Sequence, residues 1–434
     1  MKRPQRSRTG CWTCRDDGYK CDEQKPFCGR CIRLSKTCQG YGVRLKWQTQ
    51  RAPDSKAKPQ HHHENPSIVK VESPSPLTRI SPVKFGDERL VHHWQTVLAD
   101  IISISAGPHN PFLSHLTPLL DQSISLRSAI TSMAANHLAI SQPDTNLPAV
   151  AQQHRLRAIN HLRESLYDAP AEISLATVML LRMSERIFVK DTKVNHLEGA
   201  RALISHQGGQ TAWSSSTGKF LLGLCWYHDV LSSVSRGQPP VLGLQDALVE
   251  GSKDLSRLSA VLRVVAEISQ LRSTNCRLDG EEARDIMDKL ISLKQKEILN
   301  DESRNIEIHR QAACIYFYRS TTGLRDVDIL LPLHAKLCLQ HLAMIPSTSA
   351  LISSHIWPLW TGGCETTDPI LREFVLGRLD EMYEARRLTY LQRVKQDILG
   401  VWFMKDLRRN SSGKDDIDCV SAIRSTHNRE ADII

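Results

Sequence analysis

Six cysteines crowd into 28 residues near the start of the chain, as Cys11-x2-Cys14-x6-Cys21-x6-Cys28-x2-Cys31-x6-Cys38. The pattern is one C-x2-C-x6-C unit repeated at an offset of 17 residues. So short a segment cannot bury enough apolar surface to fold by itself, and a metal core is the usual substitute. A C-x2-C step lets two sulfurs grip one ion from a tight turn, and zinc accepts four thiolates in a tetrahedron with bonds of about 2.3 Å. Two zinc ions need eight sulfur positions, so six cysteines suffice only if two sulfurs bridge both metals. The competing arrangement is a single ion in a C-x2-C-x13-C-x2-C finger, which leaves Cys21 and Cys38 unused. The repeat favours two ions, because a single finger has no need for a further cysteine seven residues beyond each pair.

The cysteines suit metal better than disulfides if the chain is intracellular, where thiols stay reduced. The start, Met1-Lys2-Arg3-Pro4-Gln5-Arg6, is charged with no apolar stretch behind it, unlike a secretory signal. No apolar run reaches the roughly 18 residues a membrane-spanning helix needs, so a soluble intracellular chain without a membrane partner is expected. The other cysteines, Cys225, Cys276, Cys314, Cys338, Cys364 and Cys419, are scattered singly and read as small buried hydrophobes. Charge is uneven along the chain. Residues 1–60 hold 15 Lys and Arg against 5 Asp and Glu, while the remaining 374 residues hold 41 against 42. The net charge of +9 therefore belongs to the cysteine segment, where a basic surface points to nucleic acid.

From Arg8-Thr9-Gly10-Cys11-Trp12-Thr13-Cys14 through Lys25-Pro26-Phe27-Cys28-Gly29-Arg30-Cys31 to Cys38, continuing into Gly40-Tyr41-Gly42, the chain resembles the fungal Zn2Cys6 binuclear-cluster transcription regulators. The resemblance implies two Zn2+ ions, with Cys11 and Cys28 as the bridging sulfurs. It also implies duplex DNA as a partner, transcription machinery or co-regulators as others, and the nucleus as location. In that family a short helix after each C-x2-C turn is held by the metals, and the first enters the major groove. The residues then expected at DNA are Arg8, Arg15, Lys20, Arg30, Arg33, Lys36, Arg44 and Lys46. The chain departs from the family in the first helix, where a basic run is replaced by Arg15-Asp16-Asp17-Gly18-Tyr19-Lys20. Two aspartates oppose phosphate, and a glycine inside a helix costs about 1 kcal/mol relative to alanine. Two functions follow: a DNA-binding regulator of RNA polymerase II transcription, or a zinc-cluster regulator or scaffold that acts through protein contacts without DNA.

Beyond the basic segment (1–50), six prolines among polar residues between Pro53 and Pro82 predict a disordered linker over 51–84. A large all-α domain of ten to fourteen helices is predicted over 85–409. Leu126, Ile130, Met133, Ala134 and Leu138 recur at helical spacing, as do Leu156, Ile159, Leu162 and Leu166 until Asp168-Ala169-Pro170. Leu175 to Ile187 is apolar nearly all round, the mark of a central helix. Residues 410–434 read as a polar, mobile tail. Asn110-Pro111-Phe112, His196 to Gly209, Trp226 to Ser233 and Trp357 to Glu365 give this region a weaker resemblance to the fungal-specific regulatory domain. No catalytic motif is present: Ser233-Val234-Ser235-Arg236-Gly237 lacks the first glycine of a nucleophile elbow. His228-Asp229 reads as a buried hydrogen-bonded pair, and the chain as no enzyme.

Overall fold

The computed structural model describes residues 10–24, 28–34, 36, 38, 86–103, 105, 109–142, 146–166, 168–189, 195–243, 253–274, 280–321, 327–412 and 417–427. The linker expected over 51–84 lies outside them. The chain divides into two compact units, Met1–Thr78 and Arg79–Ile434.

The described part of the first unit is two single-turn helices, α1 (Trp12–Asp16) and α2 (Gly29–Arg33), around a core made of cysteine alone. The second unit is helical, with no β-strand among the described residues. In it α3 (Gly86–His93) runs through a π-helical turn, Trp94–Leu98, into α4 (Ala99–Ile102). A second π-turn, Phe112–Leu116, leads to α5 (Ile124–Ser141), α6 (Leu147–Glu164), α7 (Ala171–Phe188), α8 (His196–His206) and α9 (Ser216–Arg236). The remainder is α10 (Lys253–Thr274), α11 (Gly280–Ser292), α12 (Asp301–Ser320), α13 (Val327–Ala343), α14 (Ile356–Glu365), α15 (Pro369–Arg386), α16 (Tyr390–Ser412) and α17 (Cys419–His427). Among the described residues fourteen α-helices, α3 to α16, start within 85–409, the upper end of the expectation, and α17 follows beyond it. Among the described residues no helix is long and apolar enough to cross a membrane.

The periodic segments fold for the reasons their residues supply. Ser123 caps α5 by accepting the Leu126 N–H at 3.2 Å, and Leu126, Ile130, Met133, Ala134 and Leu138 are all buried. Residues Leu175 to Ile187 of α7 are buried on almost every face. Two of the buried ones are charged. Arg182 donates to the Ser232 hydroxyl on α9, and Glu185 accepts from Arg155 on α6 and from His196 at 2.9 Å. A buried charge needs such a partner to be tolerated.

Three expectations are corrected. On α6, Leu156 is half exposed, and the buried positions are Leu147, Ala151, Ala158 and Leu162, a face on which two small alanines weaken the apolar signal. The tail beginning at 410 is also misread. Helix α16 continues to Ser412, and α17 buries Cys419, Val420, Ala422 and Ile423 in the same core. Its apolar positions are too few to stand out among Asn410-Ser411-Ser412-Gly413 and their polar neighbours. His228 and Asp229, finally, are not a pair. Neighbouring helical residues point to different faces, and Asp229 instead accepts the N–H groups of Val241 at 2.9 Å and Leu242 at 2.7 Å, with Arg236 at 3.4 Å.

Candidate metal centre

The six sulfurs predicted as ligands come together in the first unit. The Sγ atoms of Cys11 and Cys28 lie 3.6 Å apart, Cys14 and Cys28 3.6 Å, Cys11 and Cys31 3.8 Å, and Cys14 and Cys31 4.0 Å. A tetrahedron with bonds of about 2.3 Å has edges of about 3.8 Å, so the spacing fits zinc. Two sets of four sulfurs each fall within 4.8 Å: Cys11, Cys14, Cys21 and Cys28, and Cys11, Cys28, Cys31 and Cys38. They share Cys11 and Cys28, the two positions the eight-from-six count requires. The single-finger arrangement has no use for Cys21 and Cys38, yet each belongs to one of these sets. Cys11 N–H donates to Cys21 Sγ at 3.4 Å, and in the second half Cys28 N–H donates to Cys38 Sγ at 3.5 Å. Burial pushes the Cys28 thiol up to about 12 and raises that of Cys11 further. Holding either as a thiolate there takes a cation in contact with the sulfur.

The local sequence explains the symmetry. Cys11 and Cys28 are N-caps: their side chains accept the N–H of Cys14 at 3.5 Å and of Cys31 at 3.3 Å. The shared sulfurs thus also start the helices. Gly10 packs so closely that a Cβ there would sit 2.7 Å from the Cys21 Cβ. Gly18 lies beyond the helix rather than inside it, with φ of +76°. Its N–H donates to Arg15 O at 3.2 Å and that of Tyr19 to Cys14 O at 2.9 Å, the paired bonds of a glycine helix stop. The helix-weakening expected of Gly18 is therefore corrected: it ends α1 without straining it. Asp22, which sequence reasoning missed, accepts the N–H of Gly29 at 3.1 Å and of Arg30 at 2.8 Å. It closes the first half onto the N-terminus of α2, and no local pattern announced it, because it caps a helix seven residues away.

The two aspartates differ in environment. Asp16 is exposed, whereas Asp17 accepts from Lys36 Nζ at 2.8 Å and Arg30 Nη1 at 3.4 Å. Lys36 and Arg30 together hold the Asp17 carboxyl below its ordinary value. The Arg30 guanidinium also lies 4.2 Å over the Tyr19 ring and 3.6 Å from Cys14 Sγ. Two of the cations expected at DNA thus face an internal anion. Arg15 stacks over Trp12 at 4.2 Å, and Arg15, Lys20 and Arg33 are exposed. Arg8, Arg44 and Lys46 lie outside the described residues.

The fungal Zn(2)-Cys(6) binuclear cluster domain matches residues 9–48, and the fungal specific transcription factor domain matches residues 89–428, most of the chain. The chain belongs to the fungal Zn2Cys6 transcription regulator family. The family's cluster domain binds two zinc ions, and the six clustered cysteines fit that content. Similar proteins include the acriflavine sensitivity control protein acr-2 of Neurospora crassa, 24% identical over 87% of this chain and 72% of that protein. The pestheic acid cluster transcriptional regulator 3 of Pestalotiopsis fici is 55% identical over 11% of this chain and 8% of its own length. The transcriptional activator protein UGA3 of Saccharomyces cerevisiae is 25% identical over 41% of this chain and 40% of that protein. No solved structure matches.

Proposed function

We propose that the chain is a nuclear, zinc-dependent, DNA-binding regulator of RNA polymerase II transcription, with Cys11 and Cys28 bridging two Zn2+ ions and Cys14, Cys21, Cys31 and Cys38 completing them. The observation that carries this reading is the pair of four-sulfur sets sharing Cys11 and Cys28. Zinc bound there offsets four of the six thiolate charges and fixes α1 and α2 where an apolar core is absent. The exposed cations Arg15, Lys20 and Arg33 are then available to phosphates or base edges, joined by Arg8, Arg44 and Lys46 on the flanks. The helical unit regulates output through transcription machinery or co-regulators.

One observation favours the second reading, a zinc-stabilised scaffold that works through protein contacts. Asp17 engages Arg30 and Lys36 and so lowers the positive charge presented to a duplex. Selection of the zinc-loaded full chain against random-sequence duplexes at modest salt separates the two. An enriched sequence supports the DNA reader; binding that is absent, or uniform across sequences, supports the scaffold.

A further inference from the structure

A cavity of about 80 Å³ lies in the second unit, between α4, α7, α9 and the start of α16. One water needs only about 10–15 Å³, so the space, which is partly open, takes more than a single water and suits a small organic molecule. Most of its wall is apolar, with Phe112, Ile187, Phe220 and Leu388 contributing. The polar part comes from Arg186, Tyr227, His228 and Tyr390 with Ser103 and Ser353, and no carboxylate is present among its described lining residues.

His228 makes this more than a packing void. It is 8% exposed, and its Nδ1 finds no hydrogen-bond partner among the described residues. A buried polar atom left in that state is destabilising, and native proteins seldom keep one without a use. Burial, with the nearby Arg182 and Arg186 cations, lowers the imidazole to about 3, so it is neutral in the cell. The wall thus combines positive charge, a neutral imidazole and phenol groups around an apolar interior, the makings of a small-ligand site.

We propose that this cavity binds a compact organic acid, its ring or branched chain among Phe112, Phe220 and Leu388 and its carboxylate toward Arg186, His228 and Tyr227. The cavity's walls come from α4, α7, α9 and α16, so a ligand there ties together elements far apart in the chain. Occupancy is thereby linked to the stability of the helical unit. The proposal does not depend on DNA binding, and its test contains no DNA.

The test is calorimetric titration of the zinc-loaded full chain with benzoate and, as a neutral analogue, benzyl alcohol. Benzoate is expected to bind one per chain, at least tenfold more tightly than benzyl alcohol, with a negative heat-capacity change. Arg186→Met should bring the two affinities to within about threefold while benzyl alcohol still binds. Leu224→Trp, which fills the cavity, should abolish binding of both with the circular dichroism spectrum unchanged. Should Leu224→Trp fail to fold, Arg186→Met still decides the matter. No benzoate binding up to about 10 mM, equal affinity for the two probes in the wild type, a preference for benzoate of about tenfold or more kept in Arg186→Met, or benzoate binding kept in folded Leu224→Trp overturns the proposal.

Discussion

Asp17 is the residue whose meaning changes most between sequence and structure. Beside phosphates it is a repulsive charge; in the fold it is the partner of Arg30 and Lys36. Replacing it with alanine should release both cations. Each cation that gains a phosphate steepens the dependence of log affinity on log salt by about 0.9, so Asp17→Ala should steepen the slope by up to about two units in salt-titrated duplex binding. An unchanged slope would mean that neither Arg30 nor Lys36 reaches a phosphate once Asp17 is gone. Gly18 gives a prediction of sign. If it lay inside a helix, Gly18→Ala would stabilise the cluster by about 1 kcal/mol. Because its φ is +76°, the substitution should instead destabilise by about 1–2 kcal/mol, measured as weaker retention of zinc against a chelator.

At the scale of elements, Glu365 joins four helices. Sitting on α14, it accepts from Arg319 Nε on α12 at 2.9 Å, from Lys405 Nζ on α16 at 2.5 Å and from Cys419 Sγ on α17 at 3.3 Å. Burial alone would raise its carboxyl, but Lys405 and Arg319 outweigh that and hold it down to about 2. A carboxyl depressed in the folded state stabilises the protein above its unfolded value and ceases to do so as pH falls through the folded one. The contribution is therefore present at neutral pH and lost between about 4.5 and about 2. Glu365→Gln strands a buried Lys405 and should cost about 3–5 kcal/mol at pH 7. Urea midpoints of variant and wild type should draw together by pH 3; a gap that stays constant would remove the charge from the explanation. The same network accounts for the misread C-terminus. Cys419 sits on a helix whose place in the core is set by a carboxylate 54 residues earlier in the chain.

For the whole molecule, the two units differ in what holds them. The described core of the first is sulfur alone, whereas the second has an extensive apolar core of its own. Removing zinc with a chelator should therefore abolish the proposed DNA binding while the main thermal transition moves by less than about 2 °C. Far-ultraviolet circular dichroism should barely respond, since α1 and α2 are five residues each. Elemental analysis should give about two zinc ions per chain, and a value near one would restore the single finger. Zinc also alters the charge that first pointed to nucleic acid. Six thiolates with two Zn2+ carry −2, which takes residues 1–60 from +10 to about +8. The order of amino acids is enough to establish the cysteine core, the helical class of the larger unit and most of its strongly periodic helices. Those properties rest on spacings of two to seventeen residues along one stretch of chain. It takes the packed fold to settle that Asp17 answers two cations, that Asp22 caps a distant helix, that α17 belongs to the core and that His228 parts from Asp229 at a cavity wall. Each depends on which groups meet after the chain has folded back on itself, and that meeting leaves no periodic trace in the sequence.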